Sequence, residues 1–299
     1  MINGYDPSAP RFLADLGRIQ DRMQRAERQI SSGLRVQTAS DAPEQVLQIL
    51  RLQTRIEANT QVQTNLTRVQ TQVNTAEAAM REAVAIVERA RVLAAQNATT
   101  GAINRKGMAI EARQLHDRLI ALSGVTAEGQ FVLGGDAATT PPYIADSTQP
   151  NGVQFTGSST VSSSLVMDEN HVTFAVSKTA TELFDAAAPD STFGALNELV
   201  TALTNDSETD VNAALPKIEA ALDHLNRQLT FYGNAQNRVK AAFEAAERNS
   251  VTLNKDLAEL RETDITAAIL DLNNAKLHHD TALSARASAR KSTLFDYMG

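Results

Sequence analysis

Apolar residues recur near both ends of the chain at alternating intervals of three and four positions. Near the N-terminus this stripe comprises Phe12, Leu16, Ile19, Met23, Ala26 and Ile30. The same alternation runs from Leu66 to Ala94 and again from Val239 to Leu260. A three–four spacing puts every member of a series on one side of a helix, as in coiled coils and helical bundles. The pattern therefore predicts long paired helices from both ends.

Long stretches of the chain contain neither glycine nor proline. Both are missing from Glu44 to Thr100 and from Asn234 to Met298, runs of 57 and 65 residues. Inside a helix glycine costs about 1 kcal/mol and proline about 3 kcal/mol relative to alanine, so both runs permit helices of many turns. A further helix is expected from about Asp210 to Tyr232, where Pro216 imposes a late start or a kink.

The apolar stripes weaken towards the chain ends. Beyond Leu260 the C-terminal series continues mostly through small or polar positions, among them Ala275, His279 and Arg286. Burial of a leucine contributes about 1.5–3 kcal/mol and alanine much less, so such a helix is poorly held on its own. We expect residues 1–35 and 265–299 to be loosely ordered in a monomer and to become ordered on packing against neighbouring copies.

The middle of the chain has a different pattern. Gly134-Gly135 and other glycine and proline pairs indicate turns from about residue 131 onwards. Apolar and polar residues alternate over 153–155 and over 172–176, as they do in half-buried strands. Asp168-Glu169-Asn170 separates the second of these segments from 165–167, which predicts a hairpin.

These patterns predict a mainly α protein with a β-rich insert. Helices from both termini form an elongated coiled-coil or bundle rod, with the small β domain at its far end. Three parts are expected. Residues 1–40 plus 262–299 form terminal helices of an inner, assembly-dependent coiled coil. Residues 41–130 plus 191–261 form a long-helix bundle, and 131–190 form an acidic outer domain.

Charge and composition narrow the class of protein. The net charge is −7, and residues 131–190 carry seven acidic side chains against one basic side chain, Lys178. An acidic chain of this kind is a poor candidate for nucleic-acid binding. The chain has no cysteine, no run of about 18 apolar residues and no signal-peptide pattern at its N-terminus. We expect no membrane insertion.

The search for catalytic or metal-binding motifs finds none. His278 and His279 are adjacent, about 100° apart around a helix, and cannot face one metal together. The segment 131–136 lacks both the spacing of a dinucleotide-binding loop and the Lys-Ser/Thr of a phosphate-binding loop. The sequence predicts neither an enzyme nor a cofactor.

Several short motifs stand at the two ends in a characteristic order. At the N-terminal end they are QISSGLRV at 29–36, ASDAP at 39–43, NLTRV at 65–69, TAE at 75–77 and RARVLAAQN at 89–97. At the C-terminal end they are RETDITAAI at 261–269 and STLFDYM at 292–298. Over about 130 N-terminal and 75 C-terminal residues the chain resembles bacterial flagellins and their relatives. It is identified as a member of the flagellin superfamily.

Two branches of that superfamily compete: filament flagellins and the hook-associated junction proteins. Asp41-Ala42-Pro43 resembles the Asp-Asp-Pro of the junction branch, although Ala42 replaces the second Asp. The segment 128–135 before Pro141-Pro142 and the ending Leu294-Phe295-Asp296-Tyr297 are also similar to that branch. The first ten residues match neither branch well. The junction branch is the preferred interpretation.

The resemblance implies a structural role in the bacterial flagellum, as the adapter at the hook–filament junction on which flagellin polymerises. It implies self-assembly, contact with a hook-side hook-associated protein and with flagellin, and a cytoplasmic export chaperone on the C-terminal helix. Export would proceed unprocessed through the flagellar type III apparatus to the cell exterior. The rival of another class is a cytoplasmic coiled-coil scaffold dimer, which shares the heptads but predicts ordered ends.

The residues that would carry this role fall into two groups. The expected packing contacts are Phe12, Ile19, Ile30, Leu257, Leu260, Ile265, Leu272, Leu294 and Phe295, although burial within the monomer is favoured for Leu257 and for Leu253. The motif residues are Ser31, Gly33, Asp41, Pro43, Glu262 and Asp264. We expect Ser31 and Asp41 to cap the helices that follow Gly33 and begin at Pro43. Glu262 and Asp264 either cap or pair at a helix joint, or are solvated.

Overall fold

The computed structural model describes residues 8–98, 104–160, 165–167, 173–185 and 191–291. Over these ranges the chain forms seven helices and six short strands. In chain order they are α1 (Ser8–Ser32), α2 (Pro43–Asn97), α3 (Arg105–Ser123), β1 (Thr126–Ala127), β2 (Gln130–Phe131), β3 (Tyr143–Ala145), β4 (Val153–Phe155), β5 (Leu165–Met167), β6 (Thr173–Ala175), α4 (Ala180–Phe184), α5 (Thr192–Thr204), α6 (Glu208–Arg261) and α7 (Ile265–Lys291). The prediction of a mainly helical chain with a β-rich insert is confirmed.

The chain divides into two compact units. We call the segments up to Asn59 and from Asn249 the terminal unit, and Thr60–Arg248 the central unit. The long helices α2 and α6 contribute residues to both. The three-part division expected from the sequence, with boundaries near residues 40, 130, 190 and 261, stays a prediction.

The heptad stripe of α2 lines the core of the central unit. Its members from Leu66 to Ala94 are buried, except the half-buried Val69, and Val239 and Ala246 of α6 belong to the same core. Ion pairs at the edge of this core join α2 to α3. Glu82 and Arg118 join α2 to α3, as do Arg89 and Glu111, whose Nε and Oε1 atoms are 2.7 Å apart. The stripe therefore packs as its spacing predicts.

A row of threonines lies along α2. The hydroxyls of Thr54, Thr64, Thr67, Thr71 and Thr75 each donate to the backbone carbonyl four residues earlier, at 2.8–3.1 Å. Such bonds satisfy the hydroxyl donor within the helix.

The insert consists of three antiparallel strand pairs, β1–β2, β3–β4 and β5–β6. The predicted strands at 153–155 and around Phe174 are present, and Val166 lies opposite Phe174 as the predicted hairpin requires. The Asp168-Glu169-Asn170 turn lies outside the described residues. The ring of Tyr143 in β3 packs at a tilt against the rings of Phe155 and Phe193, with centroids 5.3 and 4.8 Å away, and the contact with Phe193 anchors this region to α5.

Helix α6 is longer than the sequence pattern predicts. It runs unbroken from Glu208 to Arg261 and contains both Pro216 and Gly233. Pro216 lies in the third turn, so the expected late start is wrong. The packing of buried neighbours such as Val211, Ala214 and Ile218 offsets the local cost of a proline in the helix interior.

Candidate assembly surface

The first and last described helices pair in the terminal unit, where α1 packs against α7. The predicted stripe of α1 forms its least exposed side. Ala26, Ala268 and Ala275 are buried on these two helices, and Phe12, Ile19, Ile30 and Leu272 are half-buried. Small buried side chains dominate, so this contact alone buries little apolar surface.

One ion pair and one ring contact join α1 to α7. Nε of Arg22 donates to Oδ1 of Asp271 at 2.8 Å, and Nη2 of the same guanidinium contacts the same oxygen. These bonds and the positive charge hold the pKa of Asp271 below its usual range. The guanidinium of Arg286 lies 5.6 Å from the centre of the Phe12 ring, within the range of a cation–π contact.

Large apolar side chains remain exposed on the other side of α7. Leu270 and Leu277 are 61% and 64% exposed and stand seven residues apart, so they share one stripe. That stripe lies about 140–160° around the helix from Ala275. Other exposed apolar residues of the terminal unit are Leu13, Leu47, Leu50, Val251, Ile265, Ile269 and Leu283. Exposed leucines that share one stripe of a helix, as Leu270 and Leu277 do, are typical of an interaction site.

Two connectors join these terminal helices to α2 and α6. The first connector, residues 33–42, links α1 to α2, and the second connector, residues 262–264, links α6 to α7. The two run antiparallel, with Leu34 opposite Glu262. Gly33 has a φ of +71°, a conformation that ends α1 and that other residues adopt only with strain.

The two connectors are hydrogen-bonded to each other's surroundings: the first bonds to the end of α6, and the second bonds to Gly33, directly after α1. The carbonyl of Arg261, at the end of α6, accepts from the backbone N–H groups of Arg35 at 2.6 Å and of Val36 at 3.3 Å. In return the N–H of Thr263 donates to the carbonyl of Gly33 at 2.9 Å. Carbonyls at a helix end have no partner within the helix, so these bonds satisfy groups that would otherwise need water.

The side chain of Arg35 extends the same joint. Its Nη2 donates to the carbonyl of Leu260 in the last turn of α6 at 2.8 Å and to Oε1 of Gln45 in the first turn of α2 at 3.0 Å. A cation at a helix C-terminus is also favoured by the helix dipole. One guanidinium therefore contacts both long helices.

A small apolar cluster and a groove lie beside the connectors. Val36, Ala42 and Ile49 pack with the half-buried Leu257 and Leu260. The groove, of about 380 Å³, has Leu52 and Leu260 among its lining residues, together with Arg51 and Arg55 on α2 and Asp256 and Glu259 on α6.

The predicted packing residues have different environments. Leu257 joins the cluster beside the connectors and Leu253 is buried, which agrees with their expected burial within the monomer. Ile265 is 49% exposed at the start of α7, available to a partner. Leu294 and Phe295 lie outside the described residues.

The expected caps are partly wrong. Ser31 lies in the last turn of α1, because the chain after Gly33 forms a connector and no helix, and α2 begins at Pro43 as predicted. Oδ2 of Asp41 accepts from the backbone N–H groups of Thr38 at 2.7 Å and Gln37 at 3.0 Å, so it orders the first connector instead of capping α2. These two bonds lower the pKa of Asp41.

The two acidic motif residues of the second connector differ in role. Oδ1 of Asp264 accepts from the backbone N–H of Ala267 at 3.1 Å, so Asp264 caps α7. Glu262 takes part through its backbone, opposite Leu34, and its side chain is exposed. Sequence reasoning missed Arg35, because its acceptors lie 10 and 225 positions away and leave no local signal.

Two described histidines of the central unit, His116 and His224, have structural partners. Nε2 of His116 lies 3.0 Å from the carbonyl oxygen of Asn151, and Nε2 of His224 lies 2.9 Å from that of Glu182. Burial lowers the pKa of His116. Within the described ranges no three His, Asp or Glu side chains are grouped to hold a metal ion. No helix in those ranges is long and apolar enough to cross a membrane.

Comparison with known families matches both ends of the chain. Residues 8–137 match the bacterial flagellin N-terminal helical region, and residues 215–298 match the bacterial flagellin C-terminal helical region. The two matches cover α1, α2, α3, α7 and most of α6. A comparison with curated protein sequences gives no match.

Solved structures with the same fold come from several bacteria. A Vibrio parahaemolyticus protein assigned as flagellar hook-associated is 20% identical with a TM-score of 0.65, covering 75% of this chain and 100% of that one. Hook-associated protein 3 of Legionella pneumophila is 15% identical with a TM-score of 0.61, covering 71% and 99%. FlgL of Bacillus cereus is 16% identical with a TM-score of 0.55, covering 71% and 100%. At identities this low, the structural likeness shows the fold alone.

Proposed function

Because this chain belongs to the flagellin family through both of its ends, we propose that it is a structural subunit of the bacterial flagellum, the adapter at the hook–filament junction on which flagellin polymerises. One observation carries the proposal. Helices α1 and α7, each within one of the two matched regions, pair in one unit and keep leucines such as Leu13, Leu270 and Leu277 exposed. The role is structural and requires no catalytic site.

The junction is preferred to the filament for two reasons. The solved structures of the same fold include a hook-associated protein 3 and a FlgL, each matched over nearly its whole length. The segment Asp41-Ala42-Pro43 at the start of α2 also resembles the junction branch of the family. A filament flagellin is the alternative.

Copies would assemble through the terminal unit. Leu270 and Leu277 would become buried against neighbouring copies, each contributing about 1–2 kcal/mol for the part now exposed. Charge repulsion would not oppose this contact, because residues 1–59 and 249–299 carry 14 acidic and 14 basic side chains. The whole net charge of −7 therefore belongs to residues 60–248.

The expected partners follow from this position. They are a hook-associated protein on the hook side, flagellin on the filament side and a cytoplasmic export chaperone that covers the C-terminal helix. The chaperone would shield the exposed leucines of α7 before assembly. Export through the flagellar type III apparatus would place the protein outside the cell.

The test is deletion of the gene and complementation with the parent chain. The expected deletion phenotype is cells that retain hooks, lack attached filaments and release unpolymerised flagellin into the medium. The parent chain restores attached filaments. Attached filaments on the deletion strain would contradict the junction role, and loss of flagellin itself would support the filament alternative. A stable dimer that stays in the cytoplasm would support a scaffold protein.

A further inference from the structure

The connectors hold the two ends of the chain by reciprocal bonds. The first connector satisfies the carbonyls of Leu260 and Arg261 at the end of α6, and the second connector satisfies the carbonyl of Gly33, the first residue after α1. These three carbonyls have their partners on the opposite connector, whereas Gln37 of the first connector donates to the carbonyl of Arg28 in the last turn of α1. Loss of order in one connector therefore removes hydrogen bonds from the other.

Arg35 is the residue on which most of these bonds converge. Its backbone N–H donates to Arg261, and its guanidinium donates to Leu260 and Gln45. The side chain thus contacts the last turn of α6 and the first turn of α2 together, and a hydrogen bond from a charged donor is stronger than one from a neutral donor.

The second connector continues directly into α7. Thr263 donates to Gly33, and the next residue, Asp264, caps the first turn of α7 through the N–H of Ala267. A displacement of Thr263 is therefore transmitted to the cap by one peptide bond. Arg35 lies on the opposite connector and has no direct hydrogen bond to Ala267 among those described.

We propose that Arg35 is a positioning residue that couples the two connectors, so that α1 and α7 become ordered as one cooperative unit. This inference rests on the proposed function only for its biological role, which would be to present both helices for assembly. The coupling itself is a property of the single chain. A substitution in the first connector should therefore change amide exchange at the cap of α7, and a substitution at that cap should change exchange in the first connector.

The test is amide hydrogen exchange on the full chain. R35A should raise exchange about tenfold at Thr263 and Ala267, the change expected from loss of a charge-assisted bond. D264A should in turn raise exchange at Arg35 and Val36, and the double variant should raise it by less than the product of the two effects. R51A is the matched control, since it removes the same charge from the groove and should leave both connectors unchanged.

Two further variants keep the result decisive. Q45A removes one acceptor and leaves Leu260, so its effect should be smaller than that of R35A, and R35K should lie between R35A and the parent. An R35A effect confined to residues 33–37, or simple multiplication in the double variant, would overturn the coupling. The exchange data are independent of flagellar function. If the parent fails to restore filaments, the proposed function fails while the coupling can still hold.

Discussion

Two buried tyrosines of the central unit differ in the environment of their hydroxyl groups. Oη of Tyr232 accepts a hydrogen bond from the backbone N–H of Lys178 at 3.3 Å. Oη of Tyr143 is buried and has no hydrogen-bond partner among the described residues. Burial raises the pKa of both hydroxyls, so both are neutral across the physiological range. Only one of them is satisfied.

The two hydroxyls should therefore respond oppositely to removal. Y143F should raise the free energy of unfolding by about 1 kcal/mol, because a buried polar group without a partner costs about 1–3 kcal/mol. Y232F should lower it by about 1 kcal/mol, because the N–H of Lys178 loses its acceptor. Urea denaturation of both variants measures the difference. A loss of stability in Y143F equal to that in Y232F would mean that the Tyr143 hydroxyl is bonded in solution.

The ion pair between Arg22 and Asp271 makes the α1–α7 contact sensitive to acid. The folded-state pKa of Asp271 lies below its value in an unfolded chain, about 3.9, because Arg22 bonds to the charged form. Its stabilising contribution is therefore complete above that value and is lost as the pH falls through the lower folded-state pKa.

The α1–α7 contact should accordingly weaken below about pH 4. Carboxyl carbon NMR should give Asp271 a depressed pKa, and amide exchange in α1 and α7 should rise over the same range. D271N should remove this part of the pH dependence, and D280N, on the same helix, should leave it. A pKa of Asp271 at or above about 3.9 would contradict the ion pair in solution.

At the scale of single elements, α7 has two sides with different partners. Ala268 and Ala275 are buried, while Leu270 and Leu277 are largely exposed. Alanine on the inner side allows close approach of α1 but buries little surface. Leu272 is half-buried on this inner side, whereas Leu270 and Leu277 face away from it, which leaves their apolar surface for another molecule.

The variant L270Q/L277Q should lose assembly and keep its fold. Because both side chains are exposed, the unfolding free energy should change by less than about 0.5 kcal/mol. Complementation of the deletion strain should fall, with fewer attached filaments counted by electron microscopy. A275Q is the contrasting variant, since it should disrupt the α1–α7 contact itself. Normal filaments with L270Q/L277Q would show that this side of α7 is not an assembly contact.

The helices could be predicted more completely than the joints between them. The apolar stripe from Leu66 to Ala94 can be recognised from residues three and four positions apart, and it is buried as predicted. The joint at Arg35 depends on Leu260, 225 positions away, so no local pattern reveals it. The expected cap at Asp41 is wrong for a different reason: its partners are the N–H groups of Gln37 and Thr38, which precede it, whereas a cap would accept from N–H groups that follow it.

At the scale of the whole molecule, large buried side chains are concentrated in one unit. Fully buried aromatic residues such as Phe184, Phe193 and Tyr232 belong to the central unit, whereas buried residues of α1 and α7 are alanines. The sequence indicated this difference, because no aromatic residue occurs between Phe12 and Phe131 and the last stripe is rich in alanine. It could not indicate the boundary near Asn59 and Asn249, which falls inside two continuous helices.

The two units should differ in stability as they differ in core composition. We expect amide exchange in α1 and α7 of the monomer to be at least about a hundredfold faster than in α5, because local opening exposes little apolar surface there. NMR-detected exchange at neutral pH measures this. Equal protection of α1, α7 and α5 would contradict the expectation that the chain ends become ordered mainly on assembly.

The threonine row of α2 has a consequence for the newly synthesised chain. Threonine is a weaker helix former than alanine by roughly half a kcal/mol per residue, and α2 carries six threonines from Thr54 to Thr75. Helix nucleation in this segment is therefore slow before the buried face of α6 is available. If the chain is exported as proposed, as an extended polypeptide, such delay would keep its longest N-terminal helix from folding prematurely.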